Sequence, residues 1–299
     1  MKRIKLFLWI VLTTSSIFPL YRFLHKQTDG FTPSKIRTAF LKDTIPHLSS
    51  SLSVEQQAEI QSILSQPLHY IGRGGQCYAF TTSDQKYVVK LLKYNNNYPK
   101  IWFQLFSFPG NLELYRKQIL ERKQKKLEGE YKSYQIALEN LQEETGIIYM
   151  HLDAGSLPEV QLELFDKIRV RHHLSADAFQ FYIQKKGIPF YPKLETLIQQ
   201  GQLQQAKIAL DEMTAYLKKR CQKQIADKDN GIWRNFAFCE EHPFQIDIGQ
   251  FVYDPSLSSE KGSQENLLLF TREFRNWLKN LDPTLENYFT QSLSCPEAL

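Results

Sequence analysis

Four side chains able to do acid or ligand chemistry lie close together late in the chain. Asp227, Asp229 and Asn235 fall in Ile225-Ala226-Asp227-Lys228-Asp229-Asn230-Gly231-Ile232-Trp233-Arg234-Asn235-Phe236, and Asp247 follows in Gln245-Ile246-Asp247-Ile248-Gly249. Carboxylates orient hydroxyls and, with amide oxygens, hold hard cations. Asp247 comes twelve residues after Asn235, a hairpin's separation that would bring the two together at one end of paired strands. Far upstream, Lys90 sits inside Tyr87-Val88-Val89-Lys90-Leu91-Leu92. An ammonium among apolar groups is costly unless an anion meets it or it turns outward to water. Eighteen residues before Lys90, Ile71-Gly72-Arg73-Gly74-Gly75-Gln76 is a glycine-rich turn whose backbone a ligand can approach without a Cβ in the way, or which serves a hairpin or bulge.

These groups need elements to position them. Tyr70-Ile71, Gln76–Thr82 and Lys86–Lys93 read as strands, the last two joined by a turn at Ser83-Asp84-Gln85. Beyond Asn111 a long helix is predicted, because Leu127, Tyr131, Tyr134, Leu138 and Leu141 recur at helical spacing and so share a buried face. Gly146–Leu152, Lys167–His172 and Phe179–Gln184 read as strands before the turn Gly187-Ile188-Pro189. Residues 193–224 are predicted helical, Phe236–Phe238 and Phe244–Ile248 extended, and a last helix is centred on Leu267–Leu281. Thr32-Pro33-Ser34 and Ser53-Val54-Glu55 start two helices of an N-terminal extension.

A glycine turn, a hairpin with a lysine in its second strand, a long helix, strands, helices and a polar loop ending in an acid form an order that resembles the protein-kinase-like fold, over about residues 68–255. The resemblance implies an α+β, bilobal protein, with a small antiparallel-sheet N-lobe carrying a long helix and a reduced helical C-lobe. The boundaries it suggests are 1–24 for a signal or anchor segment, 25–66 for the helical extension, 67–186 for the N-lobe and 187–299 for the C-lobe. It further implies that Gly72 and Gly74 cover ATP phosphates, that Lys90 holds them, and that Glu130, ahead of Glu128, pairs with Lys90. Asn235 and Asp247 stand where the family holds Mg²⁺. Asp227-Lys228-Asp229 replaces the family's His-Arg-Asp, with Asp229 six residues before Asn235 where the pattern has five. Asp229 is therefore the first choice for the acid that orients the acceptor and Asp227 the second, since a one-residue insertion is easier to accommodate than a three-residue one. Phe179–Gly187 falls at the hinge where backbone groups would meet adenine. The family's Ala-Pro-Glu motif is absent, and the short C-terminal part suits an atypical kinase acting on a small molecule, a sugar or lipid, or a protein. A pseudokinase, keeping the fold as a membrane-associated scaffold or nucleotide sensor, is the alternative, and an envelope structural protein without nucleotide is a third reading.

Lys2, Arg3 and Lys5 precede a largely apolar run, Leu6–Leu20, shorter than a bilayer span and interrupted by Pro19. A signal peptide fits it, as does an uncleaved segment held at a membrane by Arg22, His25 and Lys26. The chain is expected to be membrane-associated or exported. Aromatic Ile101–Phe108 and the basic stretch Arg116–Lys132 read as a segment packed on the small lobe and a solvated helix face. With 37 Lys+Arg against 32 Asp+Glu and 42% hydrophobic residues, the 299-residue chain is neither disordered nor fibrous, and its mild charge argues against a nucleic-acid partner. Cys77, Cys221, Cys239 and Cys295 lie far apart with no metal-type spacing.

Overall fold

Ser53 opens the first well-capped helix, Val54–Leu64: its hydroxyl accepts the Gln56 amide N–H at 3.2 Å while its own N–H donates to Gln56 Oε1 at 2.9 Å, a reciprocal cap. That helix buries Ile60, Ile63 and Leu64. The computed structural model describes residues 15, 17–36, 52–93, 109–152, 157, 160–239 and 242–294. The expected features Lys2–Lys5, most of Leu6–Leu20, Ile101–Phe108 and Cys295 lie outside them. The chain divides into two compact units, 1–96 with 150–182, and 97–149 with 183–299.

Strands β1 (Leu68–Arg73), β2 (Cys77–Thr82) and β3 (Tyr87–Leu92) pair antiparallel in the first unit. The β2–β3 turn is closed by Asp84, whose Oδ1 accepts from Thr82 Oγ1 at 2.6 Å and Lys86 N at 3.0 Å. Val88, Val89, Leu91 and Leu92 of β3 are buried and Lys90 is half-buried. With β4 (Ile147–His151), β5 (Gln161–Phe165), β6 (Arg171–Ser175) and β7 (Phe181–Lys185), these strands form a seven-stranded sheet in the order β4-β7-β3-β2-β1-β5-β6. The protein is thus a mixture of α and β, and its sheet is larger than the small antiparallel one expected. Its β1–β5 pair is parallel, with Leu68 opposite Leu164. The strand predicted at Lys167–His172 is displaced because Asp166 Oδ1 accepts from Ile168 N at 3.0 Å and Val170 N at 2.9 Å, forcing a turn. Pairing resumes only at Arg171.

In the second unit the long helix runs Asn111–Asn140 and buries Leu127, Tyr131, Ser133, Tyr134, Ile136 and Ala137. The predicted helical stretch 193–224 is two helices, Phe190–Gln199 and Leu203–Gln222, separated at Gly201, whose φ of 70° ends the first. The last predicted helix is three: Glu260–Phe270, Arg272–Leu281 and Pro283–Ser294, the third started by Asp282 Oδ1 accepting from the amides of Thr284 and Leu285 at 2.8 and 3.0 Å. Their buried faces share one core with the two earlier helices, in which Phe190 stacks on Phe238 at 4.8 Å and Phe274 meets Phe289 edge-on at 5.1 Å. On this core lie two small sheets. In one, β10 (Phe236–Cys239) lies between β8 (Ile188–Pro189) and β11 (His242–Gln245); the other pairs β9 (Ile225–Asp227) with β12 (Phe251–Tyr253).

Candidate functional site

The hairpin β10–β11 pairs Phe236 with Gln245, and Ile246 N–H donates to Asn235 O at 2.7 Å, so Asn235 and Asp247 leave the same end of it. Strand β9 delivers Asp227 to this end, where β12 pairs Phe251 with it. Asp227 Oδ1 accepts from Asp229 N at 2.9 Å. Asp229 in turn folds the next turn, its Oδ1 taking Gly231 N–H at 3.0 Å and Arg234 Nη2 at 3.1 Å. The buried Asn235 side chain donates to Asp229 O at 3.3 Å. Asp247 is exposed, and its Oδ1 accepts from Gly249 N at 3.1 Å. Asp227, Asp229, Asn235 and Asp247 are therefore brought together within the second unit. The strand predicted to Ile248 stops at Gln245 because Asp247 turns the chain and Ser133 holds the segment beyond it: Ser133 Oγ donates to Ile248 O at 2.5 Å and accepts from Phe251 N at 2.6 Å.

Gln245 links these pieces. Its Nε2 donates to Asp227 Oδ2 at 2.5 Å and to Asp247 O at 3.0 Å, while its Oε1 accepts from Tyr216 Oη at 2.6 Å and Arg220 Nη1 at 3.1 Å. Arg220 is wholly buried, its guanidinium 4.3 Å from the Phe270 ring centroid and 3.9 Å from Asp227 Oδ2, with Nε and Nη2 lacking hydrogen-bond partners. Gln184 Nε2 fixes the same strand by donating to Gln245 O at 3.2 Å. Burial pushes the Asp227 carboxyl up to about 6, against the pull of Arg220 and the hydrogen bonds from Asp229 and Gln245, and the Asp247 charge adds to the rise. For Asp229, burial is outweighed by hydrogen bonds from Gly231, Arg234 and Asn235, which hold its carboxyl below the usual range. Two neighbouring carboxyls thus have opposite protonation tendencies.

Sequence reasoning missed Gln245, Arg220, Tyr216 and Ser133. Arg220 had a readable signal, since it shares a helix face with Met213, Tyr216 and Leu217, where a cation needs a partner. Ser133 and Gln245 had none, because their roles arise from residues far away in sequence.

In the first unit, Gly72 pairs with Ala79, which pairs with Lys90, so glycine, alanine and lysine form one row across three strands. Lys90 Nζ lies 5.3 Å from the Tyr182 ring centroid. Neither Gly72 nor Gly74 has positive φ; a Cβ on Gly72 would meet nothing within 4 Å, and one on Gly74 only Cys77 Sγ at 3.8 Å. The glycines there answer to no backbone strain and leave open space. In the second unit, Glu130 is buried with Lys126 Nζ at 3.8 Å, whereas Glu128 is exposed and accepts from Gln124. Among the described residues no three His, Cys, Asp or Glu side chains converge as a metal site. The exposed Asp247 carboxylate and the buried Asn235 amide carry side-chain oxygens at this end of the hairpin.

No family model matches the chain, and no curated protein matches it, so its chemistry rests on these residues themselves.

Proposed function

We propose that the protein is an atypical kinase-like phosphotransferase using Mg-ATP, with a small molecule, a sugar or lipid, or a protein as acceptor. The observation that carries this reading is the hydrogen-bonded assembly of Asp227, Asp229, Asn235 and Asp247 at one hairpin end, joined through Gln245. Phosphoryl transfer requires an ionised acid beside the acceptor hydroxyl and oxygen ligands for the ion on the phosphates. Asp229, half-buried and ionised, suits the first task; it would accept a hydrogen bond from the hydroxyl and orient its oxygen, while Arg234 keeps the carboxylate charged. Asp247 and Asn235 would hold Mg²⁺, which neutralises developing phosphate charge when bound. Lys90, with the open turn at Gly72 and Gly74, supplies a cation and approachable backbone for phosphate oxygens in the first unit. The N-terminal segment, with its exposed apolar residues, would associate the protein with a membrane.

One observation favours the pseudokinase alternative: both oxygens of Asp227 are taken by Asp229 N and Gln245, and Asp229 is ion-paired with Arg234. Acids so engaged fit nucleotide binding without transfer. A stability measurement with and without Mg-ATP separates the readings. Stabilisation lost in both Lys90→Ala and Asp247→Asn is expected. ATP turnover falling at least about 100-fold in Asp229→Asn marks an enzyme. Stabilisation without turnover leaves the pseudokinase, and no stabilisation at all overturns both.

A further inference from the structure

The helix over residues 17–27 in the first unit exposes Ile17, Phe18, Leu20, Tyr21, Phe23 and Leu24, each 51–63% accessible. At 100° per residue, Ile17, Leu20, Tyr21 and Leu24 form one stripe, with Arg22 and Lys26 on the opposite side. Among the described residues no helix is long and apolar enough to cross a membrane. An exposed apolar stripe opposite a basic side suits contact with a lipid surface.

A fixed joint ends the helix. Thr28 N and Oγ1 both donate to Leu24 O at 3.0 Å, and Gly30, at φ 71°, donates to His25 O at 2.8 Å. The sheet holds the joint: Tyr70 Oη donates to Asp29 Oδ2 and Arg73 Nη1 to Asp29 O, both at 2.9 Å, and Tyr78 Oη and Lys35 Nζ donate to Gly30 O at 2.9 and 2.5 Å. Phe31 packs edge-on against Tyr78 and Phe80. Lys93 Nζ lies 4.4 Å from the Tyr78 ring centroid and donates to Gly74 O, and Lys167 Nζ reaches Asp29 Oδ1 at 3.0 Å. Lys35, Arg73, Lys93 and Lys167 therefore gather at the base of an exposed apolar helix, and the Asp29 carboxylate among them is already shared between Lys167 and Tyr70. Burial is the main cause that lowers the Lys35 and Lys93 ammonium pKa; Arg73 lowers both further and Lys35 lowers Lys93, while Cys77 and Asp29 oppose the fall at Lys93. Cations gathered where an exposed apolar helix ends complement an anionic bilayer, whose phosphates can meet the charges while its acyl boundary takes apolar side chains.

We propose that this helix and joint form a docking surface for anionic phospholipid, with Lys35, Arg73 and Lys93 on the headgroup phosphates. The proposal rests on the membrane association read from the N-terminal segment and adds headgroup recognition to it. The test is flotation of the full chain with vesicles of phosphatidylcholine alone or with phosphatidylglycerol. Tighter binding to the phosphatidylglycerol vesicles is expected, weakening with salt and falling roughly fivefold for each cation removed in Lys35→Gln, Arg73→Gln and Lys93→Gln, with a retained cooperative melting transition as the folding check. Leu20→Glu/Leu24→Glu, on exposed positions, should abolish binding to both vesicles. Equal binding to both vesicle types by the unaltered chain overturns headgroup recognition and leaves membrane association standing. Binding to neither removes both. Loss of vesicle binding in competition with millimolar inorganic phosphate, at constant ionic strength, would overturn the lipid assignment in favour of a soluble-phosphate site.

Discussion

Asp227 has the environment with the clearest measurable consequence. Folded, its carboxyl keeps a proton up to about pH 6, whereas unfolded it releases it near the ordinary 3.8. Between those values the folded state binds more protons, so stability falls as pH rises through the window and is level above it. The group's contribution is on the order of 2 to 3 kcal/mol, at about 1.4 kcal/mol for each pH unit between the two values. Denaturant unfolding at pH 4, 5, 6 and 7 should show this decline, and Asp227→Asn should remove it; equal pH dependence in the two proteins contradicts the buried acid. Gly72 makes an opposite kind of test. With no positive φ and open space at its Cβ position, Gly72→Ala should keep the fold's stability or raise it by about 0.5 kcal/mol. If nucleotide approaches that turn, the same change should weaken Mg-ATP affinity about tenfold or more; unchanged affinity in a titration removes the turn from the site. Both residues were singled out in the sequence by the motifs they stand in. Gln245 could not be, since its amide joins Asp227 to Tyr216 and Arg220, which lie on a helix some twenty-five residues back.

Among the elements, the decisive link is between the long helix and the segment after Asp247. Ser133 is wholly buried and satisfies both Ile248 O and Phe251 N. Removing one hydroxyl leaves an acceptor and a donor buried together. Ser133→Ala should therefore cost about 1–3 kcal/mol in denaturant unfolding and loosen the turn carrying Asp247. An unchanged midpoint would mean that water replaces the hydroxyl. The helix Asn111–Asn140 was legible because the buried face of its second half, from Leu127 to Ala137, recurs at helical spacing. Breaks were legible only where a residue forces them. Gly201 and Asp166 each do so, yet one glycine in a helical pattern and one aspartate in an extended pattern do not by themselves reveal a left-handed residue or a side chain capping two amides. Three-residue strands such as β9 and β12 are too short for any alternation, so the pair that frames Asp227 was invisible.

At the scale of the molecule, a mixed α and β chain was readable from the order of periodicities, and the extra hairpin β5–β6 was not, because its strands follow a parallel pairing set by distant Leu68. The chain passes between its two units three times, at 96/97, 149/150 and 182/183, so the second unit is made from two separate stretches. Its phenylalanine-rich core lies wholly within the later stretch, from Phe190 to Leu293, whereas the clasp on the candidate site comes from the earlier one, through Ser133. Core and clasp should therefore separate. A fragment covering 183–299 keeps every residue of this core and should unfold cooperatively, but its 246–253 segment lacks the hydroxyl and the helix that hold it. The Phe251 amide, bonded to Ser133 Oγ in the whole chain, should exchange with solvent at least about tenfold faster in the fragment than in the intact protein. A peptide covering 109–149, added in trans, should slow it again. Equal protection in fragment and full chain would mean the site's geometry is set by the core alone, and the long helix would lose its part in positioning Asp247.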